Sequence, residues 1–175
     1  MKQDKESGQV QNSLENVLVL QGGGSLGAYE CGVFKILDKH GIKFDIVSGT
    51  SIGAINAVII AGSKNDEPAK NLEGFWNRLV EKPIPSFLPQ KLRAMMSSAY
   101  SSIYGNPNAF TAMWLNPWFS GAAYGEPYLY DTTPLKDTLE EFVDFGKLRN
   151  PKRPRLIVTS TDIKRGARAV FDSKH

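Results

Sequence analysis

The architecture of this chain is encoded in residues 17–62, VLVLQGGGSLGAYECGVFKILDKHGIKFDIVSGTSIGAINAVIIAG. Val17–Leu20 is a continuous apolar run, which is typical of a strand buried on both faces in a parallel sheet. A helical pattern begins near Leu26, Phe44–Val47 is predicted to be a second strand, and Ile52–Ala61 a second helix. Strands that alternate with helices predict an α/β fold with parallel strands and right-handed crossovers.

A serine stands at the predicted turn between the second strand and the second helix. Tight strand-to-helix turns strain their central residue, and small flanking residues leave a central hydroxyl exposed. Amides at the start of the helix favour nearby negative charge, which suits a serine that attacks a carbonyl. The alternative is that this serine only caps the helix. The G-x-S-x-G sequence consists of Gly49, Thr50, Ser51, Ile52 and Gly53.

A second glycine-rich turn follows the first strand, where Gly22, Gly24 and Gly27 form a G-x-G-x-x-G pattern. A dinucleotide site would need an acidic residue at the end of the second strand, but Asp45 lies within that strand and the serine turn occupies its end. The alternative function is an oxyanion hole, in which one lost donor raises the barrier by about 3 kcal/mol. The remaining possibility is a turn that only lets a helix and a strand pack closely.

Hydrophobic periodicity predicts the remaining elements. Asp66–Val80 is predicted to be an amphipathic helix capped by Asp66, and a further helix is predicted from Thr133 to a stop at Gly146. Leu156–Thr159 and Arg168–Phe171 are predicted strands joined by a turn. The predicted apolar faces are Leu26, Val33, Ile36 and Leu37 on the first helix; Leu72, Phe75, Trp76 and Leu79 on the third; and Leu135, Leu139, Phe142 and Val143 on the fourth.

Composition excludes several classes of function. The 175 residues carry 21 basic and 18 acidic side chains, so the net charge of +3 gives no nucleic-acid signature. One cysteine and two histidines exclude a disulfide scaffold and a zinc site built from Cys or His, and no metal or organic cofactor is expected. The polar residues 1–15 are predicted to be a flexible lead-in without a secretory signal, and the location is predicted to be cytoplasmic.

The two turns and their spacing resemble the patatin-like phospholipase family, and residues 16–175 are identified as its domain. The resemblance implies a three-layer α/β/α fold with a mainly parallel sheet. It also implies hydrolysis of phospholipid or related carboxylic esters by a Ser–Asp dyad, with Ser51 as the nucleophile that forms an acyl-enzyme. The oxyanion loop implied by the family comprises Gly22, Gly23, Gly24 and Gly27.

Two departures from the family pattern bear on catalysis. Leu26 stands where the family often has Arg or Lys, and the Asp-Gly-Gly or Asp-Gly-Ala motif of the dyad is missing. Asp162 and Asp172 match neither motif, so the dyad aspartate is expected to lie beyond this chain, incomplete at its C-terminus. Weak ester hydrolysis by these 175 residues alone is therefore expected. The alternatives are an acyltransferase of the same fold and an inert relative that binds lipid or a partner.

An aromatic-rich insertion is predicted at about residues 83–131. It is interpreted either as a lid or acyl-chain wall that makes peripheral contact with a membrane, or as part of the core. Cys31 is interpreted as a small core residue and His40 as a cap at a helix C-terminus. The aromatic side chains are Tyr100, Tyr104, Phe110, Trp114, Trp118, Phe119, Tyr124, Tyr128 and Tyr130.

Overall fold

The main sheet consists of β1 (Val17–Leu20), β2 (Ile46–Thr50), β6 (Arg155–Asp162) and β7 (Ala167–Asp172), which lie side by side in the order β1-β2-β6-β7. The computed structural model describes residues 14–80, 105–106, 108–112, 130–150 and 152–174. Strands β1, β2 and β6 are parallel, and β7 returns antiparallel to β6. This arrangement confirms the predicted α/β fold with a mainly parallel sheet.

Four α-helices pack on one face of this sheet. Along β1, β2 and β6 the buried residues Leu20, Val47 and Leu156 point to the same side and join one core with residues of all four helices. The described helices thus lie on one side of the sheet: the second contacts the strands, the first and third pack on the second, and the fourth packs on the third. Right-handed crossovers that always step in the same direction across a parallel sheet produce this one-sided placement. The helices are α1 (Gly27–Lys39), α2 (Ile52–Ala61), α3 (Pro68–Val80) and α4 (Thr133–Phe142).

A small antiparallel sheet lies within the predicted insertion. It consists of β3 (Gly105–Asn106), β4 (Phe110–Ala112) and β5 (Tyr130–Asp131). The Nδ2 of Asn108 donates to the carbonyl oxygen of Arg78 at 2.7 Å, and Thr138 Oγ1 donates to the carbonyl oxygen of Asn108 at 2.6 Å. These bonds attach the small sheet to the end of α3 and to α4.

The second strand begins and ends later than the predicted Phe44–Val47. Its ladder with β1 runs from Val17↔Ile46 to Leu20↔Gly49, so Ser48 and Gly49 are strand residues. Neither residue favours a strand by itself, but both lie between two parallel neighbours whose hydrogen bonds override that preference. Phe44 precedes the strand and packs against the core instead.

The predicted buried face of α1 is wrong. Leu26, Val33 and Ile36 are exposed, whereas Cys31 and Phe34 are buried. The helix carries apolar residues on two sides, and periodicity does not indicate which side faces the sheet. By contrast, the predicted stripe of α3 is confirmed, because Leu72 and Phe75 are buried and Trp76 and Leu79 pack against the core.

Two predicted helix boundaries are also wrong. Asp66 does not cap α3, since it adopts a positive φ of 60° and its carboxylate pairs with Lys147 at 3.0 Å and with Arg153. The stop at Gly146 is misplaced because α4 ends at Phe142, where Val143 becomes extended and bridges to Ser63. The predicted turn before β7 and the strand itself are confirmed.

Replacing Leu72 by alanine tests the importance of the shared core. Leu72 is fully buried between α3 and the remaining helices, so Leu72→Ala is expected to lower the free energy of unfolding by about 2–5 kcal/mol. The control is Val80→Ala on the same helix, where the side chain is 75% exposed and the expected change is within about 0.5 kcal/mol. Urea denaturation measures both, and equal losses would contradict the packing described.

Candidate active site

Ser51 lies at the junction of β2 and α2 in a backbone conformation that is rare for a side chain other than glycine. Its φ is 56° and its ψ is −126°, and the residue is exposed. Such a conformation costs on the order of 1–3 kcal/mol and persists only when the surrounding structure enforces it. The Ser51 side chain makes no capping hydrogen bond to α2, so the interpretation of Ser51 as a helix cap is wrong.

Two glycines permit this sharp turn. A Cβ on Gly49 would lie 2.2 Å from the carbonyl oxygen of Gly53, and a Cβ on Gly53 would lie 2.5 Å from the carbonyl oxygen of Leu20. Both contacts are with backbone, which cannot move aside as a flexible side chain can. The hydroxyls of Thr50 and Thr159 form a hydrogen bond between β2 and β6, which fixes the strand end just before Ser51. Ile52 then begins α2 directly.

The glycine-rich turn lies against the serine. A Cβ on Gly22 would be 3.1 Å from Ser51 Cβ and 3.8 Å from Ser51 Oγ. Gly24 adopts a positive φ of 56° and opens a short 3-10 turn, Gly24–Leu26, that leads into α1. Within the described parts of the chain, the N–H groups of Gly22 and Gly23 donate no hydrogen bond. The parallel pairing of β1 with β2 therefore brings the two predicted turns together, with Gly22 against Ser51.

Gly27 occupies a different environment from the preceding glycines. It is buried as the first residue of α1, and a Cβ there would lie 2.7 Å from both Ile52 Cγ1 and Trp76 Cζ2. Its small size lets α1 approach α2 and α3 closely. The structure thus gives Gly27 a packing position rather than one facing Ser51.

A polar network that the sequence did not reveal lies behind the glycine-rich turn. Asn56 is fully buried in the apolar helix α2 and receives a hydrogen bond from Trp76 Nε1 to its Oδ1 at 3.0 Å. Its Nδ2 donates to the carbonyl oxygen of Gly27 at 3.0 Å and to Glu30 Oε2 at 2.8 Å. The other oxygen of Glu30 accepts the N–H of Gln21 at 2.7 Å. The sequence offered one indication of this network: Asn56 is a single amide in the otherwise apolar helix α2, and a buried polar group needs hydrogen-bond partners.

The acidic residues considered in the sequence analysis do not contact the serine. In the described residues no hydrogen bond joins Ser51 Oγ to a carboxylate. Asp162 accepts the N–H groups of Lys164 and Arg165 in the turn after β6, and Asp172 pairs with Arg155 at the opposite end of that strand. Asp45 also precedes β2, far from its carboxyl end, where a nucleotide ribose would require an acid.

The remaining candidate side chains lie outside the site. Burial raises the pKa of the Cys31 thiol, which agrees with its interpretation as a core residue. His40 Nδ1 lies 2.8 Å from the carbonyl oxygen of Ile36 at the end of α1, where it caps the helix as predicted. Of the aromatic residues, Phe110 and Tyr130 contact each other with ring centroids 5.1 Å apart. The others lie outside the described residues: Tyr100, Tyr104, Trp114, Trp118, Phe119, Tyr124 and Tyr128.

Neither a metal cluster nor a membrane-spanning helix is present among the residues that can be described. Groups of three or more His, Cys, Asp or Glu side chains placed to hold a metal ion are absent from these parts of the chain. In the same parts, every helix is too short or too polar to cross a bilayer.

A model of the patatin-like phospholipase family matches residues 18–174 of the chain. The chain belongs to this family. The match includes both turns at the carboxyl edge of the sheet and extends through β7, the last strand described.

Three relatives share part of this domain. A lysophospholipase of Meyerozyma guilliermondii is 42% identical over 77 residues, which is 39% of this chain and 5% of that protein. A triacylglycerol lipase of Arabidopsis thaliana is 36% identical over 62 residues, 35% of this chain and 8% of the relative. Patatin-like phospholipase domain-containing protein 6 of Mus musculus is 37% identical over 59 residues, 34% of this chain and 4% of the relative. The matched part of the chain thus spans less than a tenth of each relative.

Substitution of Gly49 tests the geometry of the serine turn. Gly49→Ala places a methyl group against the backbone of Gly53, so the turn must open and the expected loss of stability is about 2 kcal/mol or more. The control is Gly32→Ala in α1, where a Cβ meets nothing within 4 Å and a stabilisation of about 0.5–1 kcal/mol is expected. Thermal denaturation compares the two, and a neutral Gly49→Ala would contradict the described approach.

Proposed function

We propose that the protein is a serine lipid acyl hydrolase that cleaves carboxylic ester bonds of phospholipids or related lipids. The observation that carries the proposal is the exposed, strained Ser51 beside Gly22, whose N–H, like that of Gly23, donates no hydrogen bond within the described residues. Membership of the patatin-like phospholipase family supports it, as do a relative named a lysophospholipase and another named a triacylglycerol lipase.

In the proposed reaction, Ser51 Oγ attacks the ester carbonyl carbon and gives its proton to the aspartate of the family's dyad. The carbonyl oxygen becomes an oxyanion, which accepts hydrogen bonds from amides of Gly22, Gly23 and Gly24. When the tetrahedral intermediate collapses, the alcohol leaves with the proton and an acyl ester remains on Ser51. Water then attacks that ester, the fatty acid departs, and the hydroxyl of Ser51 is restored.

The position of Ser51 at the start of α2 favours the same charge distribution. The first N–H groups of a helix lack intrahelical acceptors, and the helix dipole places partial positive charge at this end. Ile52 is the first residue of α2, so its amide is proposed as a further oxyanion donor. Gly49 and Gly53 serve the reaction indirectly, since their small size keeps the turn closed.

The proposed substrate indicates where the enzyme acts. Ester-linked lipids reside mainly in bilayers, so we propose a cytoplasmic protein that makes peripheral contact with a membrane when it takes up substrate. Aromatic side chains suit that boundary because each combines an apolar body with a polar edge.

A fluorophosphonate probe tests the nucleophile. The full-length protein is expected to be labelled at Ser51, and Ser51→Ala is expected to abolish labelling and lipid ester hydrolysis together. Ser160→Ala is the control, because Ser160 is another exposed serine, on β6. Mass spectrometry of the labelled peptide identifies the site. Unchanged labelling of Ser51→Ala, or no labelling of the unmodified protein, would contradict the proposal.

A substitution at Gly22 tests the role of the adjacent turn. In Gly22→Ala the new methyl group lies 3.1 Å from Ser51 Cβ, so the serine and the turn must separate slightly. A displacement of this size is expected to slow fluorophosphonate labelling about 10- to 100-fold. Gly32→Ala, on the outer side of α1, is expected to react at the original rate. Equal rates for the two variants would argue against an oxyanion hole formed by this turn.

A further inference from the structure

We propose that Glu30 is a positioning residue that holds the glycine-rich turn in place against the helix of the nucleophile. The inference rests on the proposed function, since it concerns the geometry of the same oxyanion donors. Glu30 lies in the first turn of α1, and each of its carboxylate oxygens has a separate hydrogen-bond donor.

One oxygen binds the turn itself. Glu30 Oε1 accepts the N–H of Gln21 at 2.7 Å, and Gln21 immediately precedes Gly22. Gln21 lies beyond the last ladder pair of β1, Leu20↔Gly49, so the sheet no longer constrains it. The bond to Glu30 therefore restrains the backbone at the point where it leaves the sheet and passes Ser51.

The other oxygen binds the helix that carries the nucleophile. Glu30 Oε2 accepts Asn56 Nδ2 at 2.8 Å, and Asn56 lies on α2, five residues after Ser51. Asn56 is itself immobilised, because it is fully buried and also bonds to Trp76 and to the carbonyl oxygen of Gly27. Glu30 thus connects the backbone at the start of the glycine-rich turn to the buried helix α2.

The chemistry of this connection requires a carboxylate. Both partners of Glu30 are N–H donors, and an ionised carboxylate accepts at both oxygens. A glutamine has one oxygen and one NH2 group, so it can accept from only one of the two donors and presents a donor to the other. Charge-assisted hydrogen bonds are also about twice as strong as neutral ones. The negative charge lies near the N-terminus of α1, where the helix dipole favours it.

The functional consequence follows from the sensitivity of oxyanion holes to geometry. Donors stabilise the oxyanion only at about 2.7–3.1 Å from its position, and a displacement of about 1 Å can cost 100-fold in rate. If Glu30 holds the turn, its loss slows the chemical step without weakening the initial binding of substrate or probe.

The test uses Glu30→Gln and Glu30→Ala in the full-length protein, with Glu73→Gln as the matched control. Glu73 is a carboxylate on α3 that pairs with Lys35 of α1 at 2.5 Å, so its removal also loosens α1 but leaves Gln21 untouched.

The first measurement is amide hydrogen exchange. We expect exchange of the Gln21 N–H to rise about tenfold or more in both Glu30 variants relative to the amides of β1, and not in Glu73→Gln. Unchanged exchange at Gln21, or an equal rise throughout β1, overturns the proposal.

The second measurement separates binding from chemistry in fluorophosphonate labelling. We expect the maximal labelling rate to fall about 10- to 100-fold in Glu30→Gln, with the half-saturating probe concentration unchanged, and Glu73→Gln to match the unmodified protein. A rate that stays constant, or a loss confined to probe binding, overturns the positioning role. If the unmodified protein is not labelled, the proposed function fails, whereas the exchange measurement still decides whether Glu30 holds the turn.

Discussion

The close approach of Gly49 to Gly53 is the constraint on which the site depends. Any side chain on Gly49 would overlap the backbone of Gly53, so β2 passes into α2 with no intervening loop only because both residues are glycine. This junction forces Ser51 to a φ of 56° and leaves its side chain exposed. Gly53 in turn lies against the carbonyl oxygens of Leu20 and Gln21, which sets the distance between the serine turn and the glycine-rich turn.

Burial of α2 offsets the strain at Ser51. The strained residue costs on the order of 1–3 kcal/mol, while each fully buried aliphatic side chain contributes about 1.5–3 kcal/mol. Ile59 and Ile60 of this helix are both buried, together with Ala57 and Ala61. The helix is therefore held on the sheet firmly enough to impose an unfavourable backbone conformation on Ser51, immediately before its first turn.

Much of this arrangement could be predicted from the sequence because it depends on local patterns. The apolar run at Val17–Leu20, the glycines and the apolar helix after Ser51 predict parallel strands joined by helices, and β1 and β2 do pair in parallel, which brings the two turns to one sheet edge. The stripe of α3 was also predictable, since its apolar residues occupy only one face. The run Val17–Leu20 does form a strand, but the prediction that both of its faces are buried is wrong, because Val17 and Val19 are exposed.

The features that could not be predicted depend on contacts between distant segments. The helix α1 has apolar residues on two sides, and only its packing against distant segments decides that Phe34 is buried, with its ring 6.3 Å from that of Phe44, and Val33 exposed. Asp66 has the chemistry of a helix cap, but Lys147 and Arg153, more than 80 residues away, pair with it instead. Capping preferences contribute only about 1 kcal/mol, so two cations that converge on one carboxylate can override them.

Asn56 illustrates both the local pattern and the contacts between distant segments, and it shows what a polar side chain contributes to the core. Its position in an apolar helix is visible in the sequence, but its three partners come from α1 and α3. A leucine there would fill similar space, yet it would leave the partly buried Trp76 N–H without its hydrogen-bond acceptor, and an unpaired polar group away from water costs about 1–3 kcal/mol. The amide also fixes the mutual orientation of three helices, since hydrogen bonds are directional and apolar contacts are not. These directional contacts hold the first turn of α1, which follows the glycine-rich turn, in a defined position against α2, which apolar packing alone would not specify.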